Sequence, residues 1–237
     1  MTVRVYIEAA GMICSAIAIS SCAASGPEPS PVGTESARPL RIVCIGDSLT
    51  TCGGSGGRFT DFLGAWLPQD EVINKGVGGD TLAGGRSRFG RDVLDLEPDV
   101  VVIELGANDY WAASRPLKDL RADLDFMVRA SRDAGAQVVI ASCFGGSEGT
   151  IGTEGPTGDR RAAYAAGIAG FERDIARQYD VFYVPSMQVD IKPNGRAPYW
   201  SDRNHPNRQG NELVAKRILA QLKPAIERAR SQVDGGP

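Results

Sequence analysis

Histidine is almost absent from this chain: there is one, His205, in 237 residues. Any mechanism that needs an imidazole base must use it. With a single His, and no Cys-x-x-Cys pair among five cysteines, zinc has no plausible ligand set. No metal and no cofactor are expected. The cysteines do not make a disulfide framework either, because Cys14 and Cys22 fall in an N-terminal segment and leave Cys44, Cys52 and Cys143, an odd number. An excess of positive charge is also missing. The formal net charge is -3, from 26 Lys+Arg and 29 Asp+Glu, so no basic field gathers phosphates and nucleic acid is not an expected partner. The apolar stretch from Ala9 to Ile19 is too short to span a bilayer, which takes about 20 residues.

That stretch has another reading. Arg4 supplies a basic start, the apolar run follows, and small residues come next, which is the pattern of an export signal over residues 1–22. The segment Ile19-Ser20-Ser21-Cys22 resembles a bacterial lipobox, in which Cys22 becomes the lipidated first residue of an exported, envelope-anchored protein. A Pro-, Gly- and Ser-rich run then fits a flexible linker over 23–39. Residues 40–230 are expected to form one domain, since about 200 residues suffice for one sizeable core. Their membrane contact would be through the lipid alone.

Within that domain, short apolar runs alternate with helical patterns. Leu40 to Ile45, Glu71 to Asn74, Asp99 to Leu105, Ala136 to Ser142 and Val181 to Pro185 read as strands, the first and third as strands covered on both faces. Phe59 to Leu67, Leu117 to Ala134, Arg160 to Gln178 and Asn207 to Arg228 read as helices. This alternation implies right-handed crossovers and a three-layer α/β/α sandwich around a central parallel five-stranded sheet. Ligands in such folds collect at the carboxyl ends of the strands.

The loops at those ends carry the groups that acyl transfer needs: a nucleophile, a base and donors for an oxyanion. Ser48 follows the first strand. Asp202 and His205 are close enough in sequence for one turn to present both. Gly79 offers a backbone N–H unobstructed by a Cβ, and Asn108 offers a side-chain amide. Each residue also has a plainer role. A serine after a strand commonly caps a helix, an Asn closes an Asx turn, a Gly takes a positive φ, and Asp202 is placed to cap the last helix. Asp47 and Asp80 read as loop-stabilising acceptors.

The blocks GDSLT at Gly46 to Thr50, GGDT at Gly78 to Thr81, GAND at Gly106 to Asp109 and DRNHP at Asp202 to Pro206 are similar to the four signature blocks of the SGNH (GDSL-type) hydrolases, in the same order. The resemblance covers nearly the whole domain. It implies the flavodoxin-like fold of that family and serine esterase activity. It assigns Ser48 as nucleophile, His205 as base and Asp202 as the orienting acid, with Ser48, Gly79 and Asn108 as oxyanion donors. The glycine run after Cys52 departs from the family pattern. Two sites match the G-x-S-x-G of an α/β-hydrolase elbow: the one around Ser55 lacks a strand immediately before it, and the one around Ser147 leaves only a short span before His205 for the remaining strands and the acid, so both read as loops.

Two other classes fit less well. A nucleotide-binding module needs G-x-G-x-x-G or G-x-x-x-x-G-K-[ST], and neither is complete here. A non-catalytic carbohydrate-binding protein has no need of the full acyl-transfer set. The substrate is expected to be a small-molecule, lipid or acylated carbohydrate ester, short-chain acyl or acetyl above all. Phe144 to Thr157, Met187 to Trp200 and Trp111 are the segments expected to shape the pocket.

Overall fold

The computed structural model describes residues 38–144, 158–188, 191 and 198–234. The export segment 1–22 with Cys22, nearly all of the linker, Ser147 and much of the two pocket-shaping segments lie outside the described residues.

Each apolar run becomes a strand: β1 (Arg41–Gly46), β2 (Glu71–Gly76), β3 (Val100–Glu104), β4 (Gln137–Ala141) and β5 (Phe182–Val184). All pair in parallel, in the order β2-β1-β3-β4-β5. β1 and β3 lie inside the sheet and are sealed on both faces, with Ile42 to Ile45 and Val100 to Val102 fully buried, which is why they read as unbroken apolar runs rather than as alternating ones. Among the described residues, seven α-helices fill the crossovers and follow the last strand: α1 (Ser48–Thr51), α2 (Phe59–Trp66), α3 (Leu82–Asp92), α4 (Ala107–Ala112), α5 (Leu117–Asp133), α6 (Gly158–Gln178) and α7 (Arg208–Asp234). α2 packs beside α7, while α3, α5 and α6 pack side by side. The architecture is the expected three-layer sandwich.

The sequence pattern passed over α1, α3 and α4. α1 and α4 span only 4 and 6 residues, too few to show a period. α3 reads LAGGRSRFGRD, whose three glycines weaken it as a helix former. Tertiary packing offsets that weakness, since Leu82 and Phe89 are buried and the Thr81 hydroxyl caps the first turn by accepting from Gly84 N at 3.1 Å.

The sheet order reverses at β1: the chain moves outward from it to β2, then back across it to β3. That switch point opens a crevice at the carboxyl ends of β1 and β3. The loops carrying Ser48 and Asn108 leave from there. No helix among the described residues is long and apolar enough to cross a membrane.

Candidate active site

Gly46 ends β1, and the chain turns at once into α1, with Asp47 as its N-cap and Ser48 as its first residue. The Ser48 hydroxyl faces His205, whose Nε2 lies 2.9 Å from Oγ. On the other side of the ring, Nδ1 lies 2.8 Å from Asp202 Oδ2 and 3.0 Å from Oδ1. An ionised carboxylate only accepts, so Nδ1 carries the proton and Nε2 is left as the acceptor for the Ser48 hydroxyl. Donation from Asn204 N, and then from His205, holds the Asp202 carboxyl below its ordinary range. It therefore stays charged at neutral pH.

These groups open onto a cavity of about 290 Å³ lined by Ser48, Leu49, Gly79, Ala107, Asn108, Trp111, Asn204 and His205. The structure thus brings Ser48, His205, Gly79 and Asn108 to one wall, with Asp202 behind the histidine. Gly79 sits at φ +80°, a conformation that strains any residue with a Cβ. The Asn108 amide is less free than its sequence position implies. One hydrogen goes to Asp47 Oδ2 at 3.0 Å and the other to the Asp80 carbonyl at 2.8 Å.

Several residues that carry this arrangement were not singled out as site residues from the sequence. Arg88 on α3 donates to the Gly46 carbonyl at 3.1 Å, the Lys75 carbonyl at 2.7 Å and Asp80 Oδ2 at 2.7 Å. It clasps the ends of β1 and β2 to the turn that holds Gly79. Asn211, buried on α7, donates to the Cys52 carbonyl at 2.9 Å. Arg208 donates to the Gly56 carbonyl and stacks its guanidinium over Phe62, 5.0 Å from the ring centroid. The glycine run after Cys52 is therefore a turn that the start of α7 holds against the loop carrying Ser48. Ser55 within it is exposed and lies outside the cavity lining. Burial pushes the Cys52 thiol up to about 12, so it stays protonated at neutral pH. Among the described residues no group of three or more His, Cys, Asp or Glu is placed to hold a metal.

A sheet of this order, with these loops at its switch point, defines a doubly wound, flavodoxin-like α/β fold. The family model for the GDSL-like Lipase/Acylhydrolase family matches residues 44–213, and the chain belongs to that family. It is 30% identical over 118 residues to Esterase TesA of Pseudomonas aeruginosa, an alignment covering 45% of this chain and 56% of that one. It is 34% identical over 88 residues to an acetylxylan esterase of Geobacillus stearothermophilus, covering 30% of this chain and 40% of that one. The chain thus spans about half the length of these relatives. The crystal structure of TesA superposes with a TM-score of 0.67 at 24% identity, over 78% of this chain and 99% of that one, a likeness of fold.

Proposed function

We propose that this protein is a serine esterase that cleaves carboxylic esters, short-chain acyl or acetyl esters above all, through an acyl-enzyme on Ser48. The observation that carries the reading is the relay from Ser48 Oγ to His205 Nε2 at 2.9 Å and from Nδ1 to Asp202 at 2.8 Å. As Oγ attacks the ester carbonyl, Nε2 takes the hydroxyl proton and Asp202 stabilises the imidazolium that forms. The same proton then goes to the leaving alcohol. A water molecule, activated by Nε2, releases the acid and restores Ser48.

The charge that develops on the carbonyl oxygen is met by the N–H of Ser48, which heads its helix and so has no intrahelical acceptor, by the N–H of Gly79, and by the Asn108 amide. For Asn108 this means that the hydrogen now on the Asp80 carbonyl is shared with the oxyanion, while the bond to Asp47 keeps the amide in place. The cavity volume of about 290 Å³ is at the lower end for a ligand pocket and suits a short acyl group. Leu49, Ala107 and Trp111 supply its apolar wall. The alcohol side is left to a small molecule, a lipid or an acylated sugar.

Export follows as part of the same reading, supported by the N-terminal pattern that ends at Cys22. Hydrolysis of p-nitrophenyl acetate tests the function. Wild-type protein should turn the ester over with a burst of p-nitrophenol, and Ser48→Ala should be inactive with an unchanged circular dichroism spectrum. Activity that survives in Ser48→Ala would refute the assignment.

A further inference from the structure

Behind Ser48 lie two carboxyl groups that exchange no proton or bond in the reaction outlined above, those of Asp47 and Glu104, both fully buried. Asp47 Oδ1 accepts from Leu49 N at 2.8 Å and Oδ2 from Asn108 Nδ2 at 3.0 Å. Glu104, at the end of β3, accepts from the Thr50 hydroxyl at 2.8 Å and faces Cys143 Sγ at 3.4 Å. The Asp47 backbone N donates to Glu104 Oε2 at 3.4 Å, which sets the two carboxyls side by side. Their closeness depends on Gly46, where any Cβ would collide with the Thr50 hydroxyl and with Glu104.

The other titratable groups facing the pair are Cys52 beside α1, Cys143 after β4, Asp80 on the Gly79 turn and His205. The described ion pairs include neither Asp47 nor Glu104, and Arg88 is engaged by Asp80 and Asp92. Two ionised carboxylates in a sealed compartment without a counter-ion are too costly, so one keeps its proton. Burial, and then the charge on Asp47, push the Glu104 carboxyl well above its ordinary range. Burial raises Asp47 too, but the N–H of Leu49 and the neighbouring Glu104 draw it back, so that it rises only to about 6. The proton therefore resides on Glu104 and the charge on Asp47.

We propose that Glu104 is a positioning residue: it holds the pair's proton beside Asp47 and so fixes one negative charge where it anchors the Asn108 amide at the rim of the cavity. A charged acceptor holds an amide more firmly than a neutral one. The kinetic consequence rests on the esterase reading, whereas the protonation does not. When Glu104 loses its proton the two carboxylates repel, Asn108 loses its anchor, and kcat falls while KM, set by the cavity walls, stays constant. Stability moves in the same direction. The folded state keeps a proton that the unfolded chain releases near the ordinary glutamate value of 4.5, so this contribution is full below that pH and is lost as pH rises.

The test compares wild type, Glu104→Gln and Glu104→Ala, with Ser48→Ala as the blank. The measurements are kcat and KM on p-nitrophenyl acetate, Tm from about pH 6 to about pH 10, and the ¹⁵N–¹H signals of the Asn108 side-chain amide. Glu104→Gln keeps a neutral donor. Its kcat should stay within about threefold of wild type, it should lack the wild-type alkaline fall in kcat, and its Tm should decline less with pH. Glu104→Ala should lose about 10- to 100-fold in kcat at unchanged KM, and its Asn108 amide signals should shift where those of Glu104→Gln do not. A Gln variant as impaired as the Ala variant, or one that keeps the wild-type pH slopes, overturns the proposal. If wild type and Ser48→Ala are equally inert, the esterase reading is what has failed. The Tm slopes and the amide signals then still decide the roles of Glu104.

Discussion

Asp202 holds His205 at two points, accepting from its backbone N at 2.9 Å as well as from ring Nδ1 at 2.8 Å. One carboxylate thus closes the turn, with Asn204 N at 2.7 Å as a third donor, and sets the tautomer of the ring that the turn presents. Asp202→Asn preserves the turn, since Asn forms the same Asx geometry, but removes the charge opposite the imidazolium. Its kcat should fall less than that of His205→Ala. In another serine hydrolase the corresponding losses are about 3 × 10⁴ for the acid and about 2 × 10⁶ for the nucleophile or base. The double variant should be no worse than His205→Ala; multiplicative losses at saturating p-nitrophenyl acetate would mean that Asp202 does not act through His205.

Removing one preorganised oxyanion donor typically costs on the order of 10²–10³ in kcat, and Asn108→Ala should fall in that range at nearly constant KM. Asn108→Asp should be worse than Ala. It replaces the donor with an acceptor and sets a second carboxylate against Asp47 Oδ2, now 3.0 Å from the amide. Steady-state kinetics of the two variants check the order.

Arg88 and Asp80 form an ion pair at 2.7 Å in which each side chain is only 10% exposed. Breaking a pair this buried leaves one charge unmatched, at about 3 kcal/mol or more. Arg88→Met, which keeps the aliphatic stem, should lower Tm and also reduce kcat, because the turn that carries Gly79 is no longer clasped to β1 and β2. Thermal melts, together with kcat for a short acyl ester, test both effects. A variant that loses stability but no activity would show that the turn holds its shape without the clasp.

Glu172 on α6 is buried and hydrogen-bonded to the Ser142 hydroxyl at the end of β4. Burial pushes its carboxyl up to about 8 from 4.5. The folded state therefore retains a proton over that window that the unfolded chain has lost, and stability declines as pH rises from about 4.5 towards about 8. Glu172→Gln keeps the size and the ability to hydrogen-bond but has nothing to ionise. Urea melts at the two ends of the window should show a smaller decline for this variant than for wild type.

The strands were legible in the sequence because both faces of β1 and β3 are covered, which leaves runs such as Val100 to Ile103 without a polar interruption. The long helices α5, α6 and α7 were legible for the same kind of reason, though α7 runs on to Asp234, beyond the Arg228 at which its pattern was read to stop. Ser48, Asp202 and His205 were singled out through the four blocks that resemble the family's, and the lone histidine narrowed the candidate base to one residue. Arg88 did not, because an arginine among the glycines of α3 looks like an ordinary solvated charge until β1 and β2 end beside it. Glu104 did leave a trace: it is the one carboxylate inside the apolar run from Val100 to Leu105, and burying it needs a partner. That partner, Asp47, adjoins a different strand, and no local pattern joins the two.

Ser48 and His205 are separated by 157 positions along the chain and meet only because α7 docks through Asn211 and Arg208 onto the turn after α1. On the esterase reading, the nucleophile emerges during synthesis well before its base. A nascent chain that still lacks α7 then holds a serine with ordinary alcohol reactivity, and ester cleavage starts only when α7 has been made and has closed onto that turn. The onset of hydrolysis would thus report the docking of α7, and a fluorogenic ester added to a synchronised translation reaction would light up at that step.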